Sequence, residues 1–286
     1  MRFQLATSAV NNSITQELMV KTKICLRTVI IAVTLGMGSL VVAQEQPPVD
    51  FSGVWSTNSI DVLDNPAWDT VGHFSCACTR ETYELLMSFL NDPAQDGLSA
   101  VEIVNRMEAH TIEVIGDRLT ETGMRVGQEF DLADDPAIQC NPFGVFRTIL
   151  HADPIEITTF DDRIEIRGED LTVERTVYLN VDEHPDADEK TSAGYSIGWF
   201  EGNTLVVETK NVSAGMVDDQ LSLHHSDQAS SIERYSLNEA GNVLNTSFTL
   251  HDPVMLKEPL IIDRPRIRTP GVSLELAPCD VISGQY

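Results

Sequence analysis

The spacing of hydrophobic residues changes along the chain and divides it into a helical part and a strand-rich part. Between Thr79 and His110, apolar residues recur every three or four positions, which predicts amphipathic helices. From Cys140 onward, apolar and polar residues alternate, which predicts half-buried strands. We therefore expect a mainly β protein with a small helical insertion at about 79–110.

The helical part contains two apolar stripes on either side of a break at Asn91-Asp-Pro-Ala. The stripes consist of Tyr83, Leu86, Met87 and Leu90, and of Leu98, Val101, Val104 and Met107. The helices form either a lid over a ligand site or a cap that only covers the sheet. The segment from Ile112 to Leu119 is expected to begin a further strand.

The strand-rich part is centred on a predicted hairpin. Residues 195–200 and 204–209 flank Glu201-Gly202-Asn203, in which Gly and Asn tolerate a positive φ. Further strands are expected at 49–55, 145–150, 155–160, 163–167, 171–179, 231–237, 243–250, 261–268 and 272–276. Short links predict an antiparallel meander, and closure into a barrel would remove exposed sheet edges. We therefore expect an antiparallel lipocalin-like β-barrel. Gly53-x-Trp55 resembles the opening of such barrels, and the alternative is that Trp55 is an ordinary core residue.

The first 43 residues have the pattern of a secretory signal peptide. Basic residues precede an apolar run from Thr28 to Leu40, and small residues follow it. This apolar run is short for a membrane span. Met19 is a candidate for the true first residue of the protein. We expect residues 44–286 to form one exported domain without stable membrane insertion, located in the periplasm of a Gram-negative bacterium or secreted.

The chain is strongly acidic. Its formal net charge is -25, and removal of the leader, which carries +3, leaves -28. Such a charge disfavours binding to nucleic acid or to an anionic membrane. It identifies neither the ligand nor the oligomeric state.

Cys76, Cys78, Cys140 and Cys279 remain after the leader is removed. In an oxidising compartment an even number of cysteines favours disulfides. Cys76 and Cys78 are too close in sequence for an easy mutual bridge, so each is expected to pair with one of the distant two, unless some thiols stay free. A zinc site formed by all four is the alternative, although Cys-x-Cys spacing is unusual for zinc.

Two arginines stand on apolar faces of predicted strands. Arg175 shares a face with Val177, and Arg147 shares one with Ile149. A guanidinium in an apolar wall requires a partner. Each arginine therefore binds either a ligand carboxylate in the barrel or a carboxylate of the protein, such as that of Glu174, Glu208 or Glu233.

His225, Tyr195 and Glu233 are the candidate catalytic residues. His225 titrates in the range useful for a general base, and Glu233 or Asp227 could orient it. Tyr195 can donate a hydrogen bond or a proton. The alternatives are that His225 is an ordinary loop residue and that Tyr195 is an ordinary core residue.

Tyr178 and Trp199 are candidate substrate contacts. His184, which precedes Pro185 and an acidic loop, is expected in a solvated turn. No His-x-His or His-Glu-x-x-His spacing indicates a metal, and no dinucleotide or phosphate-loop motif indicates a cofactor. We expect a protein without metal or cofactor.

Several short motifs follow one another in the strand-rich part. They are Cys140-Asn-Pro-Phe-Gly-Val-Phe-Arg147, Gly194-Tyr-Ser-Ile-Gly, Glu201-Gly-Asn-Thr-Leu-Val-Val, His225-Ser226 and Glu233-Arg234. They resemble a large family of exported, mostly uncharacterised bacterial proteins, although Tyr195 replaces the usual His and Trp199 lies one position early. The resemblance implies a lipocalin-like fold, an architecture that also houses cofactor-free phenolic acid decarboxylases with Tyr, Arg and Glu in the cavity.

Together these features predict a cofactor-independent lyase of the decarboxylase type that acts on a small aromatic or apolar acid. Arg147 and Arg175 would hold the carboxylate, Tyr195 would donate a proton, and His225 with Glu233 would move it. The alternative is a carrier that binds the same kind of ligand without converting it. A structural envelope protein without a cavity is the third possibility.

Overall fold

A computed structural model describes the chain at residues 47–57, 78–95, 97–169, 171, 174–186, 189–218 and 221–274. All of them belong to one unit of the chain, Ala43–Tyr286. The predicted signal peptide, Cys76, Cys279 and the end of the strand expected at 272–276 lie outside the described residues. Residues 272–274 are described and form no strand.

Twelve strands and four α-helices are found among these residues. The strands are β1 (Gly53–Ser56), β2 (Cys78–Thr79), β3 (Ile155–Thr159), β4 (Arg163–Gly168), β5 (Arg175–Tyr178), β6 (Tyr195–Glu201), β7 (Thr204–Lys210), β8 (Gly215–Asp218), β9 (Leu223–His225), β10 (Ser230–Leu237), β11 (Val243–His251) and β12 (Leu260–Arg268). The helices are α1 (Arg80–Asn91), α2 (Ala100–Arg118), α3 (Glu121–Glu129) and α4 (Val145–Leu150).

Nine strands form a closed β-barrel, which confirms the predicted architecture. Their order is β1-β3-β4-β5-β6-β7-β10-β11-β12, and the pairing of β1 with β12 closes the barrel. β2 lies beside β12, and β8 pairs with β9 in a separate hairpin. The pairings between described strands are antiparallel except that of β5 with β6, which is parallel. The expected antiparallel meander is therefore interrupted once, where the chain crosses over between these two strands. A single parallel bridge, between described residues outside the strands, joins Thr191 to Val212.

The predicted central hairpin is present as β6 and β7. Glu201 pairs with Thr204, and Gly202 in the turn has a φ of 62°, which Gly adopts without steric cost. β7 continues the sheet into β10, with Val207 opposite Glu233. The hairpin of β6 and β7 therefore lies inside the sheet rather than at an edge.

Side-chain alternation determines what enters the barrel. Along β10, Ser231, Glu233 and Tyr235 are buried, whereas Arg234 between them is exposed. Two apolar clusters fill the core. The first contains Trp55, Ile164, Val207 and Leu244, and the second contains Phe146, Phe248, Leu250 and Ile262.

The helical insertion extends further than predicted. The segment 112–118, expected as the start of a strand, belongs to α2. Ser99 and Glu102 form a capping box at the start of this helix, which fixes where it begins. α1 is tied to the outside of the barrel because Arg80 donates two hydrogen bonds to Asp263, from Nε at 2.9 Å and from Nη2 at 2.7 Å.

The strand expected at 145–150 is wrong: these residues form α4. All six residues of the helix are buried. A helix without a solvated face carries no 3.6-residue polar pattern, so its short apolar run looks like a buried strand. Phe146 of α4 contacts Phe248 of β11, with ring centroids 5.4 Å apart.

Candidate functional site

A buried polar network lies inside the barrel. Arg175 of β5 donates from Nη1 to Glu233 Oε2 at 2.7 Å and from Nη2 to Glu233 Oε1 at 2.8 Å. Its Nε donates to Ser196 at 2.9 Å, and Nη2 also donates to Thr209 at 2.6 Å. Arg175 and Glu233 are 3% and 0% exposed. The sequence predicts that Arg175 binds either a ligand carboxylate or a carboxylate of the protein. In the structure it binds the carboxylate of the protein residue Glu233.

The partners of Glu233 complete this network. Its carboxylate accepts hydrogen bonds from the Tyr235 hydroxyl at 2.6 Å and from the Ser231 hydroxyl at 2.8 Å. Burial and the charge of Glu233 raise the pKa of Tyr235. Burial opposes the charge on Arg175, but Glu233 and Tyr235 outweigh it and raise the pKa of Arg175. The network therefore holds its protons firmly and satisfies its own donors and acceptors.

Two further arginines of β12 lie on the inward side of the barrel. Arg264 and Arg266 are 4% and 1% exposed, and in the register they face Thr246 and Leu244 of β11. Burial and the charge of Arg266 lower the pKa of Arg264 to about 9. Burial lowers the pKa of Arg266 to about 10. Both values lie above neutral pH, so both guanidinium groups are positively charged there.

Arg266 has only part of its hydrogen-bonding capacity satisfied. Its Nη2 donates to the carbonyl oxygens of Ile149 at 2.8 Å and His151 at 3.0 Å, at the end of α4. Within the described part of the chain, its Nε and Nη1 have no hydrogen-bond partner, and neither has the buried Thr246 hydroxyl. Unsatisfied buried donors on a charged group are rare in native proteins, so this guanidinium is a candidate site for an anion.

Arg147 does not lie on a strand face, because α4 replaces the expected strand. Its Nη1 donates to both carboxylate oxygens of Asp135 at 2.9 Å, and its guanidinium lies 4.1 Å from the centroid of the Phe143 ring. Arg147 and Asp135 are both buried. The expected ligand anchor is thus engaged in an internal ion pair.

Tyr195, Tyr178 and Trp199 lie on the outer side of the barrel. The rings of Tyr178 and Tyr195 stack with centroids 5.0 Å apart, and Trp199 is 41% exposed. His184, expected in a solvated turn, is largely buried beside Tyr195 and pairs through Nε2 with Glu208 at 2.9 Å. The structure brings the two tyrosines together, but on the opposite side of the wall from Glu233.

His225 is buried outside the barrel network. Its ring meets that of Phe146 with centroids 4.7 Å apart, and its Nδ1 lies 3.1 Å from the Ser226 carbonyl oxygen. Burial lowers its pKa. The hydrogen bonds described for His225 include none to Glu233, so this pair does not form the expected proton relay.

The structure also bears on metal ligands and membrane spans. Over the described ranges, no group of three or more His, Cys, Asp or Glu side chains is arranged to hold a metal ion. No described helix combines the length and the apolar character that crossing a membrane requires.

Comparison with protein-family models, curated proteins and solved structures finds no match to this chain. The resemblance to exported bacterial proteins therefore stays a prediction. What can be inferred about function depends on the geometry of the barrel itself.

Proposed function

We propose that the protein is a carrier that binds a small organic acid in the barrel, with the acid's carboxylate at Arg266. The observation that supports this proposal is the buried Arg266 guanidinium, whose Nε and Nη1 have no partner among the described residues. A carboxylate accepts two parallel hydrogen bonds from the edge of a guanidinium. It would also offset the positive charge of the buried Arg266 guanidinium.

The residues around Arg266 favour an apolar or aromatic acid. Leu244 lies opposite Arg266 in the register and belongs to the apolar cluster of Trp55. Such surroundings favour an apolar body on the ligand. The end of α4 lies against the same guanidinium, since Nη2 of Arg266 donates to the carbonyl oxygens of Ile149 and His151.

A carrier is favoured over the expected lyase because the candidate catalytic groups do not converge. Tyr195 lies on the outer wall, and Glu233 is saturated by Arg175, Tyr235 and Ser231. General acid and base groups must reach the reacting atoms of one bound substrate. The decarboxylase stays a prediction, and so does export by the N-terminal leader.

Equilibrium dialysis with 4-hydroxycinnamate and its methyl ester tests this proposal. The mature chain should retain the acid and bind the ester at least about tenfold more weakly, since the ester carries no negative charge. Mass spectrometry should recover the acid unchanged. Equal retention of acid and ester would contradict the anion site, and loss of CO2 from the acid would instead establish the lyase.

A further inference from the structure

A cleft of about 280 Å³ lies on the outside of the barrel, between α1 and the outer wall. The residues that line it belong to α1 and, apart from the buried Thr246, to outward positions of β7, β10, β11 and β12. They include Arg80, Tyr83, Arg234, Ser236, Asn245 and Ser247. The cleft is therefore separate from the acid site proposed in the interior.

The lining of this cleft suits a ligand with many hydroxyl groups. Tyr83, Ser236 and Asn245 offer a phenol, a hydroxyl and an amide, and their side chains make no hydrogen bond to another described residue. Tyr83 is only partly buried, so its ring offers an apolar platform beside these polar groups. Aromatic side chains with a polar tip serve binding sites that are apolar on one side and wet on the other.

Two arginines, Arg80 and Arg234, line the cleft together with one carboxylate, that of Asp263. Arg80 is held by Asp263 and donates to Ser247 at 2.8 Å, which fixes it in place. Arg234 pairs with Glu201, and the two side chains are 46% and 50% exposed. An exposed ion pair contributes little to stability, so Arg234 can exchange Glu201 for a ligand anion at small cost.

We infer that this cleft binds a saccharide that carries a carboxylate. Its ring lies against Tyr83, its hydroxyls bond to Ser236 and Asn245, and its carboxylate binds Arg234. This inference is independent of the acid site at Arg266, because Tyr83, Arg234, Ser236 and Asn245 have no part in that site.

Saturation-transfer NMR of the mature chain with D-glucuronate and D-glucose tests the inference. Glucuronate should give the stronger transfer, and Arg234→Gln should weaken its binding at least about tenfold. Arg167→Gln is the matched control, since Arg167 is also 46% exposed on a strand and paired with a glutamate, Glu156. The affinity of the Arg167→Gln variant for glucuronate should equal that of the unaltered chain.

Two further variants keep the result interpretable. Tyr83→Leu should weaken the binding of both sugars, whereas Arg266→Met should leave the binding of glucuronate unchanged. Absence of transfer, equal transfer from both sugars, or equal weakening by Arg234→Gln and Arg167→Gln would overturn the inference. Loss of glucuronate binding in Arg266→Met would do so too, because it would place the sugar acid in the barrel interior.

Discussion

Arg175 and Glu233 form a doubly hydrogen-bonded ion pair across the barrel interior, with N···O distances of 2.7 and 2.8 Å. Removal of one partner leaves the other charge buried without compensation. We expect Arg175→Met to lower the free energy of unfolding by about 3–5 kcal/mol, which urea denaturation can measure.

The double variant Arg175→Met/Glu233→Met separates the charge effect from packing. It should be no less stable than Arg175→Met, because both charges are removed together. Arg163→Gln, in an exposed pair with Glu165, is the control and should change stability far less than Arg175→Met. Equal losses of stability in Arg175→Met and Arg163→Gln would show that the buried pair does not hold the interior.

Two glycines provide a matched test of packing. A Cβ at Gly198 in β6 would lie 2.7 Å from Val177 Cγ1, so Gly198→Ala should cost about 1–3 kcal/mol. Gly116 in α2 has no atom within 4 Å of such a Cβ, so Gly116→Ala should stabilise by about 0.5–1 kcal/mol. Thermal unfolding measures both, and equal effects would contradict the packing of β5 against β6.

The stability should decrease when the protein is acidified. Burial lowers the pKa of His225 below 6.5, so the unfolded chain takes up a proton at a higher pH than the folded chain. The stabilisation from the neutral ring is complete above about pH 6.5 and is lost as the pH falls from there toward the folded pKa. His184, whose pKa burial also lowers, acts in the same direction.

Urea unfolding at about pH 7.5 and 5.5 measures this dependence. His225→Gln should flatten it, by at most about 1.4 kcal/mol per pH unit. His251→Gln, at an exposed position of β11, is the control for the exchange of histidine for glutamine itself. An unaltered slope in His225→Gln would show that the buried ring does not contribute.

Disulfides are predicted for the chain because its N-terminal pattern predicts export. Cys78 in β2 and Cys140 after the turn at Pro136–Gln139 are described, whereas the other two cysteines of the predicted set are not. We expect that none of the four alkylates under denaturing conditions without reductant. Reduction should cost about 2–5 kcal/mol per bond in urea unfolding. Alkylation of all four, together with bound zinc, would favour the zinc site instead.

Much of the fold could be predicted because strand alternation is a local signal. The runs at 195–200, 204–209 and 243–250 appear as β6, β7 and β11 within one or two residues. Helix α4 could not be predicted because all of its residues are buried, so its sequence shows no helical alternation of polar and apolar positions. The parallel pairing of β5 with β6 is a long-range arrangement that local alternation does not encode.

The candidate site was only partly predictable for the same reason. Alternation correctly placed Arg175 on an inward face, and the same rule applied to β12 would have identified Arg264 and Arg266. It could not show that Tyr195 faces outward, since the side of a strand that enters a barrel depends on the whole sheet. The burial of His184 arises from a contact with Glu208 that is distant in sequence.

The carrier proposal depends on Arg266 more than on any other residue. Calorimetric titration of 4-hydroxycinnamate into the unaltered chain and into Arg266→Met tests it most directly, with Leu86→Met, at a buried position of α1, as the control for packing. We predict that Arg266→Met weakens binding at least about tenfold while Leu86→Met binds almost normally. Equal affinity of the acid for the unaltered chain and for a folded Arg266→Met variant would contradict the proposal.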